Sequence, residues 1–240
     1  APVFAAMVPM QVYNSLQVDR ERALLRQVRH LIIGGGAIDR ALAEALKDFP
    51  HAVWSTYGMT ETLSHIALRR LNGPEASEWY QPFDGVEVAL SSDGCLVIHA
   101  PEVCATPLVT HDIAELSADR RHFRILGRKD NIICSGGIKI QTEEVERRLA
   151  PYLHVPFMIS RQADPKFGQV VVLLAECQDM DAVRQICHEV LPRYWTPRHY
   201  YQVDHLPLTE TGKPARRKAE EMVAEITAGR GRKRKRVKTN

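Results

Sequence analysis

The chain has 240 residues, 45% of them hydrophobic, and a formal net charge of +3. That suffices for one large or two modest cores, and no apolar run approaches the ~20 residues of a membrane span. The charge is uneven: residues 229–240 hold seven basic side chains and no acid, which leaves the rest of the chain at −4.

In chain order, residues 1–17 read as a helix containing Val8-Pro9-Met10-Gln11. Residues 19–30 have helical spacing, with Leu24, Leu25 and Val28 on one side. Leu31-Ile32-Ile33 is a short buried strand. Residues 38–47 repeat the helical pattern, with Asp39 or a neighbour at the start and Pro50 beyond the end. Residues 52–55 form the next strand. This strand–helix–strand order predicts a parallel α/β sheet with crossover helices. Residues 63–73 read as a further helix-like segment. The texture then turns to β: residues 85–90 and 95–99 flank Ser91-Ser92-Asp93-Gly94, a hairpin signal, and residues 110–116 and 122–126 continue it. Polar Gly127-Arg128-Lys129-Asp130 marks a boundary. A small α+β unit follows. Thr142 caps a helix through Leu149, residues 155–160 and 170–175 are strands, and residues 180–190 form an amphipathic helix. Residues 199–203 are a strand, and 214–227 a helix with Pro214 in its first turn.

Five scattered cysteines, without a C-x-x-C pair, read as free thiols in a reducing compartment. No basic n-region or cleavage pattern opens the chain. The expected location is the cytoplasm. The basic run from Arg230 to Lys238 has no aromatic interleaving and reads as a solvated, disordered arm, whose charge would attract nucleic acid, anionic lipid or an acidic partner.

The densest chemistry lies in Ser55-Thr56-Tyr57-Gly58-Met59-Thr60-Glu61-Thr62, at the end of an apolar run. A ring to cover a base, a glycine for close backbone approach, a hydroxyl donor and a carboxylate for Mg²⁺ suit a nucleoside triphosphate. The same octet also suits an ordinary strand-to-helix turn with Thr/Glu capping. Three more segments accompany it in order. They are Leu31-Ile32-Ile33-Gly34-Gly35-Gly36-Ala37 upstream, then Thr110-His111-Asp112-Ile113 with Gly127-Arg128-Lys129-Asp130 through Gly136-Gly137, then Pro207-Leu208-Thr209-Glu210-Thr211-Gly212-Lys213.

Together these motifs resemble the adenylate-forming superfamily of acyl-CoA synthetases, luciferases and peptide-synthetase adenylation domains, from Val8 to Lys213. Within it, Tyr57 to Thr62 followed by Leu63-Ser64-His65-Ile66 is similar to the o-succinylbenzoate–CoA ligases of menaquinone synthesis. The resemblance implies an α/β fold: the C-terminal part of a large AMP-binding domain with a β-rich segment (1–127), a small mobile α+β domain (128–228) and a tail (229–240). The family's Ser/Thr/Gly-rich phosphate loop is missing, so the chain reads as a C-terminal fragment, inactive alone.

The implied activity is ATP-dependent acid–CoA ligation through an acyl-adenylate, with ATP, Mg²⁺, coenzyme A and a small carboxylic acid as partners. Lys213, Thr60 and Glu61 take the catalytic roles, Glu61 as metal ligand. Gly35, Gly36, Ala37, Tyr57, Asp112, Arg128, Gly136 and Gly137 bind nucleotide or CoA, and Asp130 is the hinge. Ser64 and His65 shape the acid pocket. The family often has glycine at the position of His111, so a local backbone distortion is expected there. Bland roles stand beside these: a turn aspartate for Asp112, a surface ion pair for Arg128, a hairpin turn for Gly136-Gly137, an exposed lysine for Lys213. Two other functions fit the same motifs, an acyl- or aryl-CoA ligase of other specificity and a non-catalytic nucleotide- or nucleic-acid-binding module.

Overall fold

The computed structural model describes residues 3–36, 38, 40–209 and 212–237. The chain divides into two units, Ala1–Leu126 and Gly127–Asn240.

The first unit opens with β1 (Phe4–Met7), α1 (Pro9–Leu16), α2 (Asp19–Leu25), β2 (His30–Ile33), α3 (Arg40–Leu46), β3 (Ala52–Gly58), β4 (His65–Arg70) and β5 (Gln81–Pro82). These strands form one sheet in the order β1-β2-β3-β4-β5. The first three run parallel and the last two pair antiparallel, so the sheet is mixed rather than wholly parallel. Pro9 sits in the first turn of α1, where its missing N–H costs nothing, and the Gln11 side chain accepts the Val8 N–H at 2.9 Å. Asp19 and Glu21 in the first turn of α2 oppose the helix dipole. Val12, Leu25, Leu31, Ile33, Leu46 and Val53 bury one core. Buried Asn72 stitches its rim. Its Oδ1 accepts the Val53 N–H at 2.9 Å, and its Nδ2 donates to the Phe49 and His51 carbonyls.

A second sheet follows the order β6 (Glu87–Leu90), β7 (Cys95–His99), β8 (Leu108–Leu116) and β9 (Phe123–Arg128). Gly94, at φ +79°, closes the expected β6–β7 hairpin. Its core joins Leu96, Ile98 and Phe123 to Ile66 and Ala67 of β4.

The second unit contains β10 (Ile132–Ser135), β11 (Ile138–Gln141), α4 (Thr142–Leu149), β12 (Phe157–Asp164), β13 (Gly168–Ala175), α5 (Met180–Val190), β14 (His199–Gln202) and α6 (Arg216–Val237). The sheet order is β11-β10-β13-β12, with β14 parallel to β13. The continuous apolar run of β13 is explained by burial on both faces. Val171, Leu173 and Ala175 pack with Val145, Leu149, Val183 and Cys187. Val170, Val172 and Leu174 pack with Ala219 and Val223 of α6. Asp179 caps α5 by accepting the Ala182 N–H at 3.0 Å. All five cysteines are free, and burial pushes the Cys187 thiol up to about 11.

Several expectations change. Within the segment read as one helix, Phe4–Met7 form strand β1 and Pro9–Leu16 form α1. Residues 63–73, read as helix-like from their Leu, Ala and Arg content, hold strand β4: pairing with β3 and β5 overrides helix propensity. Thr142 is the first helical residue rather than the cap, and its hydroxyl donates to the Asn131 carbonyl. Pro214 precedes α6 and bridges to Leu208. Asp39 lies outside the described residues. Helix α6 continues through Val237, into the segment read as a disordered arm; Lys and Arg are good helix formers. Among the described residues, no helix is long and apolar enough to cross a membrane.

Candidate active site

Tyr57 stands near the end of β3 and Asp112 in β8, brought together by the packing of the two sheets. The Tyr57 hydroxyl donates to Asp112 Oδ2 at 2.7 Å. The Tyr57 ring meets Phe123 edge-on, at 5.1 Å between centroids, and Tyr80 at 5.8 Å. Tyr80 is held in turn by Ser55 Oγ at 2.8 Å and lies under the Arg69 guanidinium. Both Tyr57 and Asp112 are half-buried. Asp112 lies within a strand and is not a turn aspartate. Its N–H donates to Thr110 Oγ1 at 3.1 Å. The non-glycine residues at positive φ, among those described, are Leu63 and Arg120. His111 lies in strand and is not among these, but the β7–β8 register shifts between the pairs Cys95–Ile113 and Val97–Val109, so the distortion expected there takes the form of a strand irregularity around residues 110–112.

Directly after β3, Thr60–Thr62 form a single 3-10 turn, not the start of a helix. Thr60 and Glu61 are exposed. The turn is tied by buried Thr62, whose Oγ1 accepts the Met59 N–H at 3.0 Å and lies 2.7 Å from the Ser64 carbonyl. The turn ends at Leu63, at φ +61°, a strained and 82% exposed leucine.

The glycine segment leaves the carboxyl end of β2, beside β3. Ligands of open parallel sheets gather at such ends. A Cβ on Gly34 would stand 2.5 Å from Thr56 Oγ1, and Gly35 has φ +75°. These two positions need glycine for packing and turning. Ala37 lies outside the described residues.

Ser64 and His65 line a cavity of about 300 Å³, with Phe83, Val86, Ala100 and Val103 but also Asp84 and Glu102. Ser64 Oγ is 3.2 Å from His65 Nδ1, and the His65 ring meets Phe83 at 5.4 Å.

In the second unit, Arg128 Nη2 reaches Asp130 Oδ2 at 3.3 Å, both about half exposed, which is the surface ion pair of the plainer reading. Gly136 and Gly137 join β10 to β11 at φ +57° and +85°, a turn that favours glycine at both centres. The Gly136 N–H donates to the Phe167 carbonyl at 2.9 Å. Exposed Lys213 closes a turn: its N–H donates to Thr209 Oγ1 at 3.0 Å, and its carbonyl accepts the Thr209 N–H at 2.8 Å.

For a metal, no cluster of three or more His, Cys, Asp or Glu exists among the described residues. A lone exposed carboxylate, Glu61, fits Mg²⁺, which keeps several waters and binds through one or two carboxylates plus phosphates. Of the residues to which the sequence reading gave no site role, Thr62, Tyr80 and Phe123 matter most here. Thr62 alone had a local signal, a hydroxyl three residues after Met59 in a turn.

The mixed α/β fold is one found among solved structures of acyl-CoA synthetases and related enzymes. No family model matches the chain. More particularly, the chain is 30% identical over 227 residues to the 2-succinylbenzoate–CoA ligase of Geobacillus kaustophilus, which covers 81% of this chain and 46% of that enzyme. The chain spans about half the length of the curated relatives it matches. Among solved structures, it resembles an acyl-CoA synthetase (AMP-forming)/AMP-acid ligase II-like protein from Dyadobacter fermentans: 32% identity, TM-score 0.52, 90% of this chain and 63% of that one. It shares its fold with o-succinylbenzoate CoA synthetase from Bacillus subtilis in complex with the acyl-adenylate intermediate: 22% identity, TM-score 0.71, 90% of this chain and 50% of that one.

Proposed function

We propose that this chain carries the C-terminal half of an ATP-dependent acid–CoA ligase of the o-succinylbenzoate type. The observation that carries the proposal is the Tyr57–Asp112 hydrogen bond beside the Thr60–Glu61 turn, in a chain whose similar proteins bear that ligase name. In the first half-reaction a substrate carboxylate attacks the α-phosphorus of ATP and pyrophosphate leaves. In the second, the CoA thiol attacks the acyl carbon and AMP leaves. Tyr57 covers the adenine, Asp112 accepts from the ribose hydroxyls, Arg128 serves as a second ribose residue, and Gly35 and Gly36 let the backbone approach. Thr60 donates to phosphate oxygens. Glu61 would hold Mg²⁺, which when bound would neutralise charge on the phosphates. Lys213 supplies a cation for adenylation. Gly136 and Gly137 give room for the pantetheine arm, and Asp130 is the hinge between half-reactions. ATP and CoA as substrates and five free cysteines support a cytoplasmic setting.

One observation favours a second reading, a ligase for a different acid. The cavity beside Ser64 and His65 is also lined by Asp84 and Glu102, whose charge opposes a second substrate carboxylate. Pyrophosphate release by the whole protein, across mono- and dicarboxylates, separates the two. Turnover with o-succinylbenzoate above all other acids supports the first reading. A preference for monocarboxylates establishes the second, and no carboxylate-dependent release overturns both.

A further inference from the structure

The turn that carries Lys213 is fastened by a pair of side chains outside the site. Arg216 opens α6, three residues after Lys213. Its Nη1 and Nη2 each donate to a separate oxygen of Glu146 on α4, both at 2.6 Å. Both side chains are about four-fifths buried. Glu146 Oε1 also accepts the Ile159 N–H at 2.8 Å, and Arg216 Nη1 donates to the Ile159 carbonyl at 3.1 Å. Arg216 is thus locked to α4 and to fully buried Ile159 of β12 at once. Burial works against its charge, yet the bonds and the field of Glu146 hold its pKa above the ordinary value.

The other end of the same loop is tied back. The Ala215 N–H donates to the Pro207 carbonyl at 2.9 Å, and Leu208 bridges to Pro214. Among the described residues, the loop is held at its N-terminal end by Leu206, whose N–H donates to Glu176 Oε1 at 2.7 Å, and immediately C-terminal to Lys213 by the Arg216 fork. A bidentate guanidinium–carboxylate fork fixes orientation as well as distance.

We propose that Arg216 and Glu146 are positioning residues for Lys213, setting where its ammonium stands during adenylation. The proposal rests on the adenylation role given to Lys213 above. A merely structural pair would support the whole unit and weaken both half-reactions together. A positioning pair acts on the step that uses Lys213, and a misplacement near 1 Å can cost about 10²-fold.

The test uses the whole ligase and follows adenylation and thioester formation from supplied acyl-adenylate separately. Arg216→Lys keeps the charge and loses the fork. The double variant Glu146→Gln with Arg216→Gln removes both charges and keeps donors and acceptors towards Ile159. Each is first checked for a cooperative thermal transition. The expected result is adenylation lowered about 10–10²-fold with thioester formation unchanged. Full adenylation in either folded variant, or an equal fall in both half-reactions, overturns the proposal. Lys213→Ala runs alongside. If it keeps adenylation, the role of Lys213 itself fails; if it loses adenylation while Arg216→Lys keeps it, only the positioning proposal fails.

Discussion

In the first unit, Tyr57 and Asp112 lie 55 positions apart and meet through a 2.7 Å hydrogen bond between two sheets. In the second, Lys213 rides a turn closed by its own neighbours, Thr209 above all. The first arrangement is set by strand packing: moving Tyr57 means moving Phe123 and Tyr80 with it. The second sets an exposed point charge on a turn held by Thr209 and by the start of α6. Groups that hold a nucleotide throughout a reaction gain from the first kind of support. A cation wanted for one half-reaction and not the other gains from the second. That contrast predicts which substitutions act on both half-reactions and which on one.

The largest effect is expected from Lys213→Ala in the whole ligase. Loss of one preorganised charge contact should lower adenylation ~10²–10³-fold while sparing thioester formation from supplied acyl-adenylate. Single-turnover measurement of each half-reaction checks it. Equal losses would erase the contrast between the units. Glu61→Gln comes next. It keeps shape and removes the charge offered to Mg²⁺, so adenylation should fall by about 10², with the loss partly recovered at high Mg²⁺. A Mg²⁺ titration of initial rates reads this out, and wild-type dependence would remove Glu61 from the metal.

The hydrogen bond itself is tested more gently. Tyr57→Phe should weaken ATP binding by about 1–2 kcal/mol, or roughly 5–30-fold, the worth of a bond to a charged acceptor discounted for partial exposure. Asp112→Asn should do the same or more. The two losses should fall short of additive in a double-mutant cycle on ATP affinity. Strict additivity would mean that the pair touches without working together.

The legible parts of this fold are those with local chemistry. The Asp93-Gly94 hairpin, the doubly buried run of β13 and the amphipathic α5 all carry their cause within a few residues. The four-residue β1 did not show, because its Phe-Ala-Ala-Met has no strand pattern and its form comes from pairing with β2. Nor did β4, whose good helix formers are held extended by neighbours on both sides. For the site, motif order pointed to Tyr57 and Asp112 individually, but no spacing announces a bond between positions 57 and 112. The Arg216–Glu146 fork, 70 positions apart, was hidden for the same reason. A polar pair leaves no periodicity, and only the packing of α4 and α6 about one sheet creates it.

The smallest effect is expected at Gly137, and it sharpens what a turn glycine does in the second unit. At φ +85° an alanine pays the left-handed penalty of roughly 1–2 kcal/mol, but its Cβ would meet nothing within 4 Å. Gly136 differs: there a Cβ would stand 3.0 Å from Phe167, so alanine adds crowding to strain. If the pair served only the hairpin, Gly137→Ala would lower the urea midpoint slightly and leave both half-reactions at wild-type rates. If the open side of Gly137 is where the pantetheine arm passes, the same methyl group narrows that passage. Thioester formation then falls a few-fold, with KM for CoA raised and adenylation intact. The second pattern is the expected one. It would place the two half-reactions on different loops of one unit, Lys213 for the first and Gly137 for the second. Unchanged CoA kinetics in a folded Gly137→Ala variant would return the glycine pair to the hairpin alone.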